Sequence, residues 1–463
     1  MAGTLRTGRS SRCQTGISGD MSETLHLVPW SPGCRWKPML LAVTILISLA
    51  GAGGCGSGER AAPPPPPAVI RVPEDAPTIQ RAVDRARPDD RVLVSPGTYR
   101  ESVRITRERI VLQGTDRNSV VIDGEFRRGD GVVVTGAGSA VENMTVRNNL
   151  FNGVLFTGIT DPNFQGRGGS SGEYQAMDTT KFPAMRGFRA SYVTAYNNGL
   201  YGIYAFDTRD GLIEHSYASG HADSGFYVGQ CDPCDTLVRG NLAEHNAIGA
   251  EFTNSSAGLQ VVGNRFSANR VGVSMGSDTL EALAPQHGAV FAGNVVTDNA
   301  DAGTPEQADG GFGIGIGLGG GVANTVTNNL VTGNPTAGVI VAAANGFAPA
   351  DNRLSGNTVT GNGVDLAFTG RPEAGATGNC FTGNNAGTSA PTDALAGTCP
   401  LATAGSVVPA TAPPGISFHD VPAPGPQAAA PVGFGGAPMT GSAVLADPAK
   451  APLPTDPKAV PQW

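Results

Sequence analysis

The segment LVRGNLAEHNAIGAEF, residues 237–252, carries Asn241 and Asn246 five positions apart, followed by Gly249 and a short apolar alternation. VVGNRFSANRVGVSM repeats the arrangement 23 positions later with Asn264 and Asn269. The pattern returns at Asn294/Asn299, Asn329/Asn334, Asn357/Asn362 and Asn379/Asn384, and in weaker form upstream at Asn143/Asn148, Tyr192/Asn197 and His215/Gly220. Most successive copies lie between 22 and 35 residues apart. A unit with a kept inner spacing and a loose period is an internal repeat, and it restricts the fold more than any other feature of the chain.

Each copy holds two or three short runs of period-two alternation separated by Gly and Asn, which read as strands. A helical repeat fails because Gly and Asn recur every few residues and leave no apolar stripe at 3.6 spacing. One coil of a β-solenoid fits, with alternate side chains buried and each strand bonded to the coils above and below. Asn then has a structural role, since it tolerates the left-handed conformation of a sharp corner, and identical Asn side chains on stacked coils can form an amide ladder. The 66 Gly and 35 Pro, with 15% charged residues, suit many tight corners.

The solenoid's start is visible in APTIQRAVDRARPDDRVLVSPGTYRESVRITRERIVLQGT. Thr78 is placed to cap a short helix with Ile79, Ala82, Val83 and Ala86 on one face, and Pro88 ends it. Such a lid covers an otherwise bare strand edge. The strand-like runs after it, through SVVIDG, resemble the opening coils of the right-handed parallel β-helix family, the pectin-lyase-like superfamily, over residues 69–385. That resemblance implies an all-β, right-handed parallel β-helix with a short N-terminal capping helix. It also brings in a range of activities, from pectate and alginate chemistry to periplasmic copper handling.

Both ends lie outside the repeats. Residues 1–55 read as a targeting segment: Arg35 and Lys37 precede PMLLAVTILISLAGAGGC, an apolar run of signal-peptide length, and the start codon is either Met1 or Met21. Cys55 resembles the lipidated cysteine of bacterial lipoproteins, although Ala52 stands where that pattern has Leu, so plain secretion stays open. Residues 56–68 are a Pro-rich tether, 69–399 the β-helix, and 400–463 an Ala/Pro/Gly-rich tail expected to be disordered, whose removal should leave stability unchanged. An exported chain is expected to pair Cys231 with Cys234 and Cys380 with Cys399. The CDPC run lacks both a thioredoxin-like context and a partner pair at zinc spacing.

Solenoid sites appear as polar or aromatic residues at equal offsets in neighbouring coils. With coils aligned on Tyr192, His215, Asn241 and Asn264, one offset gives the apolar column Ile203, Phe226, Phe252 and Met275, and the next gives Tyr204, Tyr227, Thr253 and Gly276. Tyr201, Tyr204 and Tyr227 make a candidate sugar-stacking platform. Asp210, Asp223 and Glu251 lie nearby as further ligand-binding candidates, and Asp207, His215 and His221 as candidate acids or bases. An insertion at 157–190 carries Lys181, Arg186 and Arg189, and the glycine run at 300–321 lacks the strand, turn and helix of a nucleotide site.

A formal charge of −8 argues against a nucleic-acid partner. The leading expectation is an exported, lipid-anchored protein that binds a polysaccharide without an assignable catalytic motif. A lyase or epimerase acting on uronic-acid sugars is the alternative; it needs a cation for the sugar carboxylate, from Arg209 or Lys181, and a base from His215 or His221. A copper-handling accessory protein is third, since only six His and eight Met occur. No cofactor or metal is called for, and calcium is left open.

Overall fold

A computed structural model describes residues 66–161, 177–307 and 310–462. The targeting segment with Cys55, most of the tether and the middle of the 157–190 insertion lie outside the described residues.

Three parallel sheets make the fold the sequence implied. The first has twelve strands, from Val69–Val72 to Cys380–Thr382. The second has eleven, from Gly97–Tyr99 to Asn385–Ala386, and the third eleven, from Val103–Ile105 to Ser389–Ala390. The capping helix is Ile79–Arg85, with Thr78 as N-cap accepting from Arg81 N–H and the Glu101 carboxylate accepting from Ile79 and Gln80 N–H. Ile79, Ala82, Val83 and Ala86 are all buried, as the pattern required.

The register shows how the coils superpose. Ile203, Phe226, Ala250, Val273 and Ile316 stack inward, and Tyr204, Tyr227, Glu251, Ser274 and Gly317 stack outward. The sequence alignment had slipped by two residues after Tyr227. His215 corresponds to Gly240 rather than Asn241, because Tyr217 pairs with Leu242, and one extra residue separates His221 from Ser224 relative to Asn246 and Ile248. A slip of two keeps every side chain on its own face, so the apolar column survives while Glu251 replaces Thr253 beside Tyr227.

The asparagines form amide ladders. Asn241 donates its N–H and Nδ2 to Asn264 Oδ1, Asn264 likewise to Asn294, Asn294 to Asn329, and Asn329 to Asn357. A second ladder runs through Asn246, Asn269, Asn299, Asn334 and Asn362. The left-handed corner, however, belongs to the residue before each ladder Asn, such as Gly240, His245, Gly263 and Ala268. Upstream, Asn143, Asn148, Tyr192, Asn197, His215 and Gly220 are themselves left-handed, so those copies align one residue later. A third ladder, Gln286, Asn324, Asn352 and Asn379, had gone unread; Asn379/Asn384 repeats Asn352/Asn357 rather than Asn241/Asn246.

Both expected disulfides are present, with Cα separations of 4.7 Å for Cys231–Cys234 and 4.8 Å for Cys380–Cys399. The tail departs from expectation. Residues 400–462 hold almost no regular structure but lie against the solenoid along its length, from Leu401 N–H on Asn379 O to Ala451 O on Asn328 Nδ2. Composition gives no sign of this because the tail bonds through main-chain carbonyls and N–H groups and through small residues, none of which depends on large apolar side chains.

Candidate functional site

Tyr204 ends up outward on the third-sheet strand Ile203–Phe206, and Tyr227 on the neighbouring Ser224–Cys231. Tyr201, from the turn before the first of these strands, completes a triangle. Ring centroids are 4.4 Å apart for Tyr201–Tyr204, 4.8 Å for Tyr201–Tyr227 and 4.9 Å for Tyr204–Tyr227. Ile159, Phe182 and Phe206 pack behind them.

The platform is less open than the sequence suggested. Tyr201 and Tyr204 are half-buried, but Tyr227 is only 2% exposed. Its hydroxyl donates to Glu281 Oε1 at 2.5 Å, from a loop at 277–287 folded over the sheet. Asn254 Nδ2 ties that loop down by donating to the carbonyls of Asp278, Glu281 and Ala282. Sequence reasoning missed Glu281 because no repeat position marks it. The available signal was spacing: 30 residues separate Asn264 from Asn294, against 23 for the preceding pair, so a loop had to leave the solenoid there.

Carboxyl groups flank the rings. Ser224 Oγ lies 3.0 Å from Asp223 Oδ1 and 2.8 Å from Glu251 Oε2, and Thr253 Oγ1 donates to Glu251 Oε1. A hydroxyl carries one proton, so Ser224 can bond both carboxyls only if one of them is itself protonated. Glu251 is that group: burial, reinforced by the Asp223 charge, pushes its pKa well up. Burial also raises Glu281 to about 8, with Asp278 adding to the effect and the Tyr227 hydrogen bond opposing it. Glu281 Oε2 is buried without a hydrogen-bond partner. The face therefore combines aromatic surface with two carboxyl groups, Glu251 and Glu281, that burial makes harder to ionise.

The other candidates are elsewhere. Asp210 sits in the first sheet, paired with Arg186 Nε at 2.8 Å. His215 stands at the corner between first and second sheets, stacked on Tyr192 at 5.0 Å. It lines a cleft of about 410 Å³ with Arg117, Arg239 and tail residues Gln427 and Gln462. Burial lowers its pKa, Arg239 and Arg117 acting the same way and Glu214 against them. His221 is a fully buried rung of the second ladder: its Nδ1 accepts from Asn198 N–H and its own N–H donates to Asn246 Oδ1. Burial lowers its pKa to about 3. Asp207 is buried at the corner after Phe206, where burial pushes its pKa up to about 7 and Oδ2 has no hydrogen-bond partner.

Of the proposed cations, Lys181 comes nearest the tyrosines, its Nζ 4.9 Å from the Phe182 ring centroid. Arg209 is turned to Asp210 and Asp235 in the first sheet. Among the described residues no group of three or more His, Cys, Asp or Glu could hold a metal ion.

The family model for the right-handed β-helix region matches residues 109–284 and, in an overlapping second match, 186–392. No curated protein sequence matches the chain. Among solved structures, the A-module of a mannuronan C-5 epimerase from Azotobacter vinelandii is 18% identical, covering 65% of this chain and 80% of its own, with a TM-score of 0.47. A second such A-module from the same organism is 17% identical, covering 63% and 73%, with a TM-score of 0.45. An alginate lyase from a Paenibacillus species is 15% identical, covering 64% and 95%, with a TM-score of 0.38. The likeness is one of fold.

Proposed function

The chain belongs to the right-handed β-helix family, and on that premise we propose that it is an exported protein that binds a polysaccharide on the outer face of the third sheet. The observation that carries the reading is the triangle of Tyr201, Tyr204 and Tyr227 beside Asp223, Glu251 and Glu281. Aromatic rings cover the apolar faces of sugars while carboxyl groups bond their hydroxyls. The two disulfides suit an oxidising compartment. Lipid anchoring through Cys55 belongs to the same proposal, and mass spectrometry of the mature N-terminus tests it.

Carboxyl groups on this face favour neutral glycans over polyuronates, whose own charge they would repel once ionised. Calorimetry against a panel of neutral glucans and mannans, pectate and alginate tests this. Absence of binding across the panel refutes the assignment. The single proton shared through Ser224 favours a second reading, in which Glu251 acts as a proton donor in glycan cleavage. Release of reducing ends, lost in Glu251→Gln with binding retained, separates that reading from binding alone. An ultraviolet-absorbing unsaturated product would instead point to a lyase.

A further inference from the structure

The tail is held too specifically to be a passive end. Side-chain donors of the solenoid reach its carbonyls in series: Asn118 Nδ2 to Gln427 O, Arg117 Nη1 to Ala428 O, Gln113 Nε2 to Phe434 O and Arg189 Nη2 to Ala437 O, at 2.6 to 3.0 Å. Farther along, Gln260 Nε2 donates to Leu445 O at 3.0 Å while its Oε1 accepts from Leu445 N–H at 2.7 Å. Asn328 Nδ2 donates to the carbonyls of both Ala449 and Ala451.

Shape matches chemistry. Met439, Leu445 and Ala451 seat on an apolar row of the first sheet made by Leu212, Leu237, Val262 and Ala292. A side chain at Gly187 would put its Cβ 2.5 Å from Met439 O, and one at Gly293 would meet the Ala451 Cβ at 2.7 Å. On the tail's side, a Cβ at Gly436 would collide with the Arg189 guanidinium. Donors, apolar seats and clearances on both partners together describe a receptor and its ligand.

We propose that the outer face of the first sheet is a docking groove for an extended, proline-rich strand, and that residues 427–452 of a second copy of this chain can fill it in place of the chain's own. Recognition here is of the strand's main chain, its carbonyls and the N–H groups of Gln427, Gly436, Met439 and Leu445, while the intervening prolines add no N–H that would need a partner. Nothing in these contacts depends on the strand arriving from the same molecule. In the intact chain the covalent link gives the cis tail a high effective concentration and keeps exchange rare.

The test uses the full chain with a protease site inserted at the exposed residues Ala402–Ala404, cleaved only after folding. Isotopically heavy and light preparations are nicked, mixed and examined by native mass spectrometry. Cleaved tails should stay bound and appear in hybrid heavy–light complexes, whereas uncut chains show none. Gly436→Leu in the tail should reduce hybrid formation at least tenfold, circular dichroism confirming a folded solenoid. Tails that leave the folded solenoid on cleavage, or that stay bound but never exchange, would overturn the proposal.

Discussion

The first and third sheets share an inner core but have opposite outer faces. On the third, Tyr201 and Tyr204 keep part of their rings exposed among carboxyl groups. On the first, the tail covers Leu212, Leu237, Val262 and Ala292, and the polar groups pair with the tail's main chain, as at Gln260, or with one another, as at Asp210 and Arg186. The difference is the one expected between the proposed interaction face and a seam in a solenoid. Each face presents a column of outward side chains; the seam's polar groups find partners within the chain, while the proposed site retains aromatic surface beside carboxyl groups whose pKa values burial raises.

The strongest way to break the comparison is to remove what both faces rest on. Asn294→Ala strands the Asn264 N–H and one hydrogen of Asn264 Nδ2, and removes the side-chain donor to Val261 O and Asn329 Oδ1, the latter keeping the residue 294 N–H. At about 1–3 kcal/mol for each buried group left unpaired, it should cost roughly 4 kcal/mol, measured by urea unfolding, and damage both faces together. Next in size, Tyr227→Ala should cost roughly 3 kcal/mol as a buried aromatic truncation. Tyr227 is therefore as much a packing residue as a member of the candidate stacking platform. Ending the chain at residue 400 should lower stability by on the order of 2 kcal/mol, the donors' bonds being offset by the freedom the tail regains. It should also raise binding of an apolar dye, yet leave glycan affinity unaltered; lost glycan affinity would show that the faces are not independent.

Smaller effects sharpen the contrast. Tyr201→Ala with Tyr204→Ala should weaken glycan binding about tenfold, roughly 1.4 kcal/mol, with an unchanged melting transition. The titrations run in opposite directions on ladder and face. Glu281 and Asp207 hold protons more tightly when folded, so their stabilisation is complete below the ordinary carboxyl pKa and is lost as pH rises through about 7 to 8. His221, with a folded pKa near 3, contributes stability above its ordinary value that is lost as pH falls towards 3. His221→Asn should restore an amide rung, give the stranded Asn198 Nδ2 an acceptor and stabilise by about 1 kcal/mol, flattening the acid limb of a pH–stability curve.

The coil architecture was legible because strand alternation and corner residues recur and each repeat confirms the last. Even a two-residue slip in alignment did no harm to the inward column, since period two forgives even errors. The site was half legible. Tyr201, Tyr204, Tyr227, Asp223 and Glu251 fell together because stacking converts sequence offset into proximity. His221 looked like chemistry and is a ladder rung, its role visible only once Asn198 and Asn246 are seen above and below it. Glu281 arrives on a loop outside the repeat, and the tail binds through its main-chain carbonyls and N–H groups, which side-chain identity does not reveal.

The second ladder has a direction. From Asn246 onward every rung passes its donors forward to the next Oδ1, and after Asn362 the final acceptor is Asp365, whose Oδ1 takes the Asn362 N–H and Nδ2 and whose Oδ2 takes the N–H groups of Gly387 and Thr388. A carboxylate accepts without donating, so no further acceptor is needed beyond it. The run therefore behaves like a polymer with a distinct end group. Interior Asn rungs are chemically equivalent within the ladder, while the terminator has to stay last. The length of the ladder is therefore set by how many such rungs precede Asp365.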